Sequence, residues 1–112
     1  MDIRKWNVYL ADLSPSFGTE PGKTRPVIVV QTDLINNHHS STIICPLTTK
    51  IHPQSEILRV HLRKGEAGLT EKSDIVVDQV RAIDNRRFLK RLGMIGRMSQ
   101  KKLTENIQII LN

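Results

Sequence analysis

The fold class is decided by an apolar stretch in the first third of the chain, Arg25-Pro26-Val27-Ile28-Val29-Val30-Gln31-Thr32. Its run of Val and Ile is β-branched, a composition that favours a buried strand. Pro26 lacks a backbone N–H, so it belongs at the first residues of the strand or on a sheet edge, and it favours extended geometry at Arg25. The stretch therefore predicts a buried strand with an arginine fixed at its entrance.

Further elements are predicted on both sides of this strand. Residues 14–24 contain two Pro and two Gly, which predicts a long, mobile loop before it. Ser99 is a candidate N-cap for a final helix over residues 100–111. Apolar alternation or β-branched runs predict four more strands, over residues 6–13, 42–49, 56–62 and 73–83. This order predicts a mainly β (α+β) fold, in which one small, strongly curved barrel or sheet of residues 1–112 carries a C-terminal helix.

The charge of the chain is unevenly placed. Seventeen Lys and Arg stand against eleven Asp and Glu, for a net charge of +6 over 112 residues. Residues 81–112 hold eight basic and two acidic groups, whereas the rest of the chain is balanced. A basic patch favours a polyanion: nucleic acid, an acidic protein tail or an anionic membrane surface. Aromatic residues make up only 4% of the chain, too few for a platform that stacks several bases.

Several classes of protein are excluded. No apolar run approaches the roughly 18 residues of a membrane span, and the first residues show no secretory signal. Cys45 is alone, so an intrachain disulfide and a Cys-rich zinc site are excluded and a cytoplasmic location is expected. His38 and His39 are adjacent, and their side chains point apart on an extended chain, which favours a solvated loop over a metal site.

Four single residues and one basic cluster are candidates for binding or chemistry, each with a plainer alternative. Arg25 is either a solvated or ion-paired residue or a guanidinium placed to hold a phosphate. Thr48 is either an ordinary strand residue or a hydroxyl that donates to a phosphate oxygen, close to Arg25 if their strands pair. Asp78 and Gln79 are either a surface pair in a long strand or the polar rim of a site. The basic residues after position 85 are either a solvated face or part of a nucleic-acid surface.

Several motifs occur in a specific order along nearly the whole chain. They are Val8-Tyr9-Leu10-Ala11-Asp12-Leu13 with Ser14-Pro15, Gly18-Thr19-Glu20, Arg25-Pro26-Val27-Ile28-Val29-Val30, Pro46-Leu47-Thr48-Thr49, and Asp78-Gln79-Val80-Arg81-Ala82-Ile83-Asp84. In this order and at this chain length, they resemble the MazF/PemK family of toxin endoribonucleases.

The resemblance implies a fold, an activity and partners. The fold would be an SH3-like barrel of the kind shared with the CcdB toxins that poison gyrase. The protein would be a homodimer that cleaves single-stranded mRNA at a short sequence without ribosome, metal or cofactor. A ribose 2′-hydroxyl would attack the adjacent phosphate, leaving a 2′,3′-cyclic phosphate and a 5′-hydroxyl. An antitoxin with an acidic, disordered tail would neutralise it.

The resemblance also implies roles for individual residues. Arg25 and Thr48 match the catalytic Arg and Thr of the family. Glu20 matches the glutamate of the family's mobile loop, whose role is either catalytic or to support the loop. Asp78 and Gln79 match positions that line the RNA groove. We also expect three arginines to contribute to RNA binding: Arg81, Arg86 and Arg87.

The chain departs from one branch of the family, and two other functions stay open. The Kid/PemK branch has an Arg two residues before the Asp of the Asp-Gln pair, where this chain has Val76, so more of the chemistry would depend on Arg25. The alternatives are a non-catalytic toxin of the same fold that binds a protein such as gyrase, and a plain RNA- or DNA-binding module.

Overall fold

The computed structural model describes residues 1–14, 19 and 23–112, and the described residues form strands, short 3-10 segments and one C-terminal α-helix. The predicted loop over residues 14–24 therefore lies largely outside the described residues. The 3-10 segments are Glu66–Gly68, Val77–Gln79 and Asn85–Arg87. The strands and the helix are β1 Asn7–Asp12, β2 Thr24–Val29, β3 Ser41–Thr48, β4 Arg59–Leu62, β5 Ser73–Val76, β6 Arg81–Asp84, β7 Phe88–Met94 and α1 Arg97–Leu111.

All strand pairs are antiparallel, and β3 is the centre of the sheet. The strand order is β4-β5-β3-β2-β1-β7, and β6 pairs with the first half of β3 while β5 pairs with its end. The predicted class, a small mainly β fold with a C-terminal helix, is confirmed. Within the described part of the chain, the strands form an open path from β4 to β7 rather than a closed barrel.

The central strands β1, β2 and β3 are buried on both faces, which explains why their sequences are nearly continuous apolar runs. Val8, Ile28 and Cys45 lie in register and contribute to one hydrophobic cluster, together with Leu103 of α1. The other face contributes to a second cluster, which contains Tyr9, Ala11, Val27, Val29, Ile44 and Phe88. The two clusters hold β2 and β3 rigidly side by side.

The helix α1 begins at Arg97, three residues earlier than predicted, and its N-cap is Gly96. The prediction that Ser99 is the N-cap is wrong. The hydroxyl of Ser99 instead donates to the Glu66 carboxylate at 2.7 Å, and the same carboxylate accepts the backbone N–H of Gly96 at 3.0 Å. A carboxylate from another segment thus takes the place of a local cap and lies at the positive end of the helix dipole. No helix among the described residues is long and apolar enough to cross a membrane.

The strand predicted over residues 73–83 is interrupted. The 3-10 segment Val77–Gln79 separates β5 from β6, because the two strands pair with different parts of β3 and the chain must change direction between them. The interruption accounts for Asp78 and Gln79, which are unusual as mid-strand residues but ordinary in a turn.

Candidate active site

Arg25 and Thr48 lie on neighbouring strands. The register of β2 with β3 pairs Val27 with Pro46, and continuing it by two residues brings Arg25 level with Thr48. The guanidinium of Arg25 is half-buried, and its Nη1 donates to the Leu47 carbonyl oxygen at 3.4 Å. Arg25 and Thr48 also line the same two hollows, so the structure brings these two predicted residues together.

An open groove of about 400 Å³ contains both residues. The 3-10 segment between β5 and β6 carries Asp78 and Gln79 to its wall, so four of the predicted site residues line the same space. The complete lining among described residues is Thr19, Arg25, Thr48, Lys50, His52, Arg59, Val76, Asp78 and Gln79.

A second hollow of about 290 Å³ adjoins the groove, and Arg25, Thr48 and Lys50 line both. The second hollow also has an apolar side made by Leu10 and Pro26. Arg25, Thr48 and Lys50 therefore lie where the two spaces meet, with a polar wall on one side and an apolar wall on the other.

The hydroxyl of Thr48 is oriented by a backbone N–H that lies two residues further along the chain. Its oxygen accepts the N–H of Lys50 at 3.1 Å, in the short turn that follows β3. Since a hydroxyl has one hydrogen to donate as well as lone pairs to accept, its O–H can still donate to a substrate oxygen.

The groove is mainly cationic. Arg25, Lys50 and Arg59 line it, and Asp78 is the single carboxylate among the described lining residues. Arg59 is ion-paired at 3.1 Å with Asp74, which lies outside the lining, so Arg25 and Lys50 supply most of the positive charge. Such a surface attracts phosphate groups, and an arginine can bind one with two parallel hydrogen bonds.

Cys45 contributes no nucleophile to this site. Its thiol is buried in the core beside β2, and it lies 3.9 Å from the Val77 carbonyl oxygen. Burial, together with the negative charge of Asp78, raises the pKa of the Cys45 thiol to about 12. The thiol is therefore protonated at neutral pH.

The three arginines expected to bind RNA do not line the groove. Arg81 lies on β6 opposite Ile44. Arg86 forms an ion pair with Asp84 at 3.0 Å, and Arg87 donates to the backbone carbonyl oxygens of Asp12 and Ser14. The remaining predicted site residue, Glu20, lies outside the described residues.

Among the groove residues with an ammonium, guanidinium or imidazole side chain, three were not predicted from the sequence: Lys50, His52 and Arg59. Lys50 and His52 follow Thr48 closely, so the polar segment after β3 was the available signal. Arg59 gave no local signal, because it reaches the groove only through the pairing of β4 with β5. Within the described part of the chain, no three His, Cys, Asp or Glu side chains come together in a way that could hold a metal ion.

Taken together, fold and site define a small mainly β protein with a cationic groove suited to a phosphodiester. Comparisons with known proteins narrow this class. The family model described as "PemK-like, MazF-like toxin of type II toxin-antitoxin system" matches residues 4–111. The chain is 32% identical to the endoribonuclease MazF of Staphylococcus saprophyticus over 109 residues, which is 97% of this chain and 91% of that protein.

Solved structures agree on the fold. A crystal structure of MazF from Deinococcus radiodurans superposes with a TM-score of 0.83 at 20% identity, covering 99% of this chain and 97% of that chain. A mycobacterial endoribonuclease in complex with its cognate antitoxin superposes with a TM-score of 0.75 at 17% identity, covering 98% and 93%. The chain belongs to the PemK-like, MazF-like toxins of type II toxin–antitoxin systems. The predicted family is confirmed, and with it the enzyme class, endoribonuclease.

Proposed function

We propose that residues 1–112 form a single toxin domain that cleaves single-stranded mRNA at a short sequence, without metal or ribosome, and thereby inhibits translation and growth. The observation that carries the proposal is a cationic groove that Arg25, Thr48 and Lys50 line together. A phosphodiester bound there would meet a guanidinium, an ammonium and a hydroxyl donor together.

The proposed reaction is an internal displacement at phosphorus. The ribose 2′-oxygen attacks the adjacent phosphorus and loses its proton, while the 5′-oxygen of the next nucleotide leaves and gains one. The products are a 2′,3′-cyclic phosphate and a 5′-hydroxyl. Negative charge builds up on the phosphate oxygens in the transition state, so donors fixed in advance lower the barrier.

Each groove residue has a place in this scheme. Arg25 neutralises the developing charge, and Thr48 donates its hydroxyl hydrogen to a phosphate oxygen. Asp78 and Gln79 contact the bases or riboses along the groove wall. A guanidinium is protonated at neutral pH and therefore accepts a proton poorly, which predicts a slow nuclease.

The proposed partners follow from the same charges. An antitoxin with an acidic, disordered tail would cover the groove and compete with RNA, and a mycobacterial relative of this fold has been solved with its cognate antitoxin. We further propose a homodimer that acts in the cytoplasm, where mRNA is available.

The test is cleavage of a long RNA of mixed sequence by purified protein in EDTA, with the ends mapped and typed. We expect cuts at one short motif with 2′,3′-cyclic phosphate ends. Arg25→Ala and Thr48→Ala should each cleave at least 100-fold more slowly, since a single transition-state donor is worth about that much. Lys101→Ala, an exposed change on α1, is the matched control and should cleave normally.

Other outcomes would overturn the proposal. Intact RNA together with inhibited gyrase supercoiling would indicate the non-catalytic toxin. Intact RNA with salt-dependent binding that Thr48→Ala leaves unchanged would indicate a plain nucleic-acid-binding module.

A further inference from the structure

A fully buried carboxylate, Asp74, lies directly behind the proposed site. It belongs to β5, where it pairs with Thr48 of β3, and its side chain has no exposed surface. The next residue along the strand, Ile75, belongs to the apolar core, and an ionised group at a fully buried position is exceptional. Desolvation of a charge costs free energy that only good partners offset.

The partners of Asp74 come from two directions. Its Oδ1 contacts Nδ1 of His61 at 2.6 Å. Its Oδ2 accepts the backbone N–H of His52 at 2.8 Å and Nη1 of Arg59 at 3.1 Å. Burial alone would raise the pKa of the Asp74 carboxyl, but the hydrogen bonds from His52, His61 and Arg59 outweigh it and hold that pKa below its usual value. The group is thus a carboxylate at neutral pH.

These contacts lead back to the proposed catalytic hydroxyl. The same Nη1 of Arg59 donates to the Lys50 carbonyl oxygen at 2.9 Å, so Arg59 joins the carboxylate to the segment after β3. Residues 50–52 are therefore held at both ends. Arg59 binds the Lys50 carbonyl oxygen, and the Asp74 carboxylate binds the His52 N–H. The Lys50 N–H in turn donates to the Thr48 oxygen at 3.1 Å.

We propose that Asp74 is a positioning residue for RNA cleavage: through Arg59 and the His52 N–H it fixes residues 50–52, and through the Lys50 N–H it aims the Thr48 hydroxyl at the scissile phosphate. The inference rests on the proposed nuclease activity of this groove. Asp74 itself is buried and does not touch RNA. Its effect is expected on kcat, because a hydroxyl displaced by about 1 Å loses on the order of 100-fold in rate while the groove still binds.

The first test replaces Asp74 by an apolar residue of similar size and by its amide. Asp74→Leu removes both acceptor oxygens and should lower kcat roughly 10- to 100-fold with KM within about 3-fold. Asp74→Asn keeps one acceptor oxygen for Arg59 and His52, and should retain kcat within about 5-fold. A purely structural role predicts that kcat follows stability, so Thr42→Val is the matched control: it removes the 2.6 Å hydrogen bond to Asn85 from a buried residue at the opposite end of β3. It should lower the Tm and leave kcat unchanged.

The second test is a double-mutant cycle with Thr48. If Asp74 acts through the Thr48 hydroxyl, Asp74→Leu should change kcat less than 3-fold in a Thr48→Ala background. Equal effects in both backgrounds would overturn the inference. If Asp74→Leu does not fold, the pair Asp74→Leu/Arg59→Met, which removes both charges, replaces it and is compared with Arg59→Met alone.

Different results would overturn the proposed function and the positioning role of Asp74. A wild-type protein that does not cleave RNA overturns the proposed function. A wild-type protein that cleaves, together with an Asp74→Leu variant of full kcat, overturns only the positioning role.

Discussion

At the scale of single residues, the proposed site depends on hydrogen bonds that the backbone makes to side chains. The Thr48 hydroxyl is oriented by the Lys50 N–H, and the Lys50 carbonyl is held by Arg59. Each bond is ordinary in length and contributes about 1 kcal/mol to stability. Their value to catalysis is that they leave the hydroxyl few orientations, so little entropy is lost when a phosphate binds.

The charge of Asp74 predicts a pH dependence of stability. Its pKa lies below the ordinary value of 3.8, so its contribution to folding is complete above that value and is lost as the pH falls through the lowered pKa. We expect the difference in free energy of unfolding between wild type and Asp74→Asn to shrink below about pH 4, as the Asp74 carboxylate of the folded protein becomes protonated. Urea unfolding from pH 7 to pH 2 measures it.

The control for this pH experiment is Glu105→Gln, which removes one carboxylate from an exposed position of α1. Its difference from wild type should be near zero at pH 7, because exposed carboxylates contribute little to stability. If the difference in free energy of unfolding between wild type and Asp74→Asn grew toward low pH, the Asp74 carboxylate would not be the form that stabilises the fold.

The sequence predicts the two proposed catalytic residues, but it does not predict the residues that hold them in place. Arg25 lies near the start of β2 and Thr48 at the end of β3, and the sequence pattern predicts both strands. Each residue also belongs to one of the ordered motifs that resemble the family. Asp74 and Arg59 lie in separate strands, and nothing local indicates that they meet. Their contact depends on the register of β4 with β5, which is set by the folded sheet.

At the scale of elements, the start of α1 shows how a distant side chain can replace a local signal. The predicted cap, Ser99, is the third residue of the helix, and Glu66 supplies the acceptor instead. The sequence near the helix favours Ser99 as the N-cap. The contact of Glu66 with the helix start joins segments about 30 residues apart, so the local sequence does not indicate it. The interrupted strand over residues 73–83 has a similar cause, because its break follows from the two pairing partners along β3.

Removal of the Glu66 carboxylate should therefore destabilise the helix start. Glu66→Ala leaves the Gly96 N–H and the Ser99 hydroxyl without this acceptor, and we expect a loss of about 1–2 kcal/mol in the free energy of unfolding. Glu66→Gln keeps an acceptor oxygen and should lose less. Glu71→Ala, an exposed change nearby in sequence, is the control. Equal stabilities for Glu66→Ala and Glu71→Ala in urea would show that the carboxylate does not act as a cap.

The contact between β7 and the same 3-10 segment is equally specific. A Cβ added to Gly93 would lie 2.6 Å from the carbonyl carbon of Ala67, closer than real Cβ atoms approach backbone. We expect Gly93→Ala to cost roughly 1–3 kcal/mol, since neither backbone can move without disturbing its neighbours. A Cβ added to Gly96 meets only the Glu66 carboxylate at 3.6 Å, so Gly96→Ala should cost less. Thermal unfolding of the two variants side by side checks the ranking.

At the scale of the whole molecule, net charge and groove charge come from different parts of the chain. The excess of +6 lies in residues 81–112, yet the cations that line the groove are Arg25, Lys50 and Arg59. Two arginines of the basic third are instead held by Asp84 and by backbone carbonyl oxygens. The composition therefore favours a polyanion as the partner. Which cationic side chains line a groove that could bind this polyanion becomes visible only in the folded sheet.

This separation predicts that two lysines of equal charge have unequal effects on RNA binding. Lys50 lines the groove, whereas Lys101 is exposed on α1 and is absent from the described lining. Each phosphate contact to a single strand adds about 0.7 to the slope of log affinity against log salt concentration. Lys50→Ala should lower that slope by about 0.7–1, and Lys101→Ala should leave it unchanged. Titration of a 2′-O-methyl RNA, which has no attacking hydroxyl, at several salt concentrations measures both slopes. Equal decreases of this slope in the two variants would mean that RNA responds to the net charge of the whole protein and that Lys50 makes no specific contact with a phosphate.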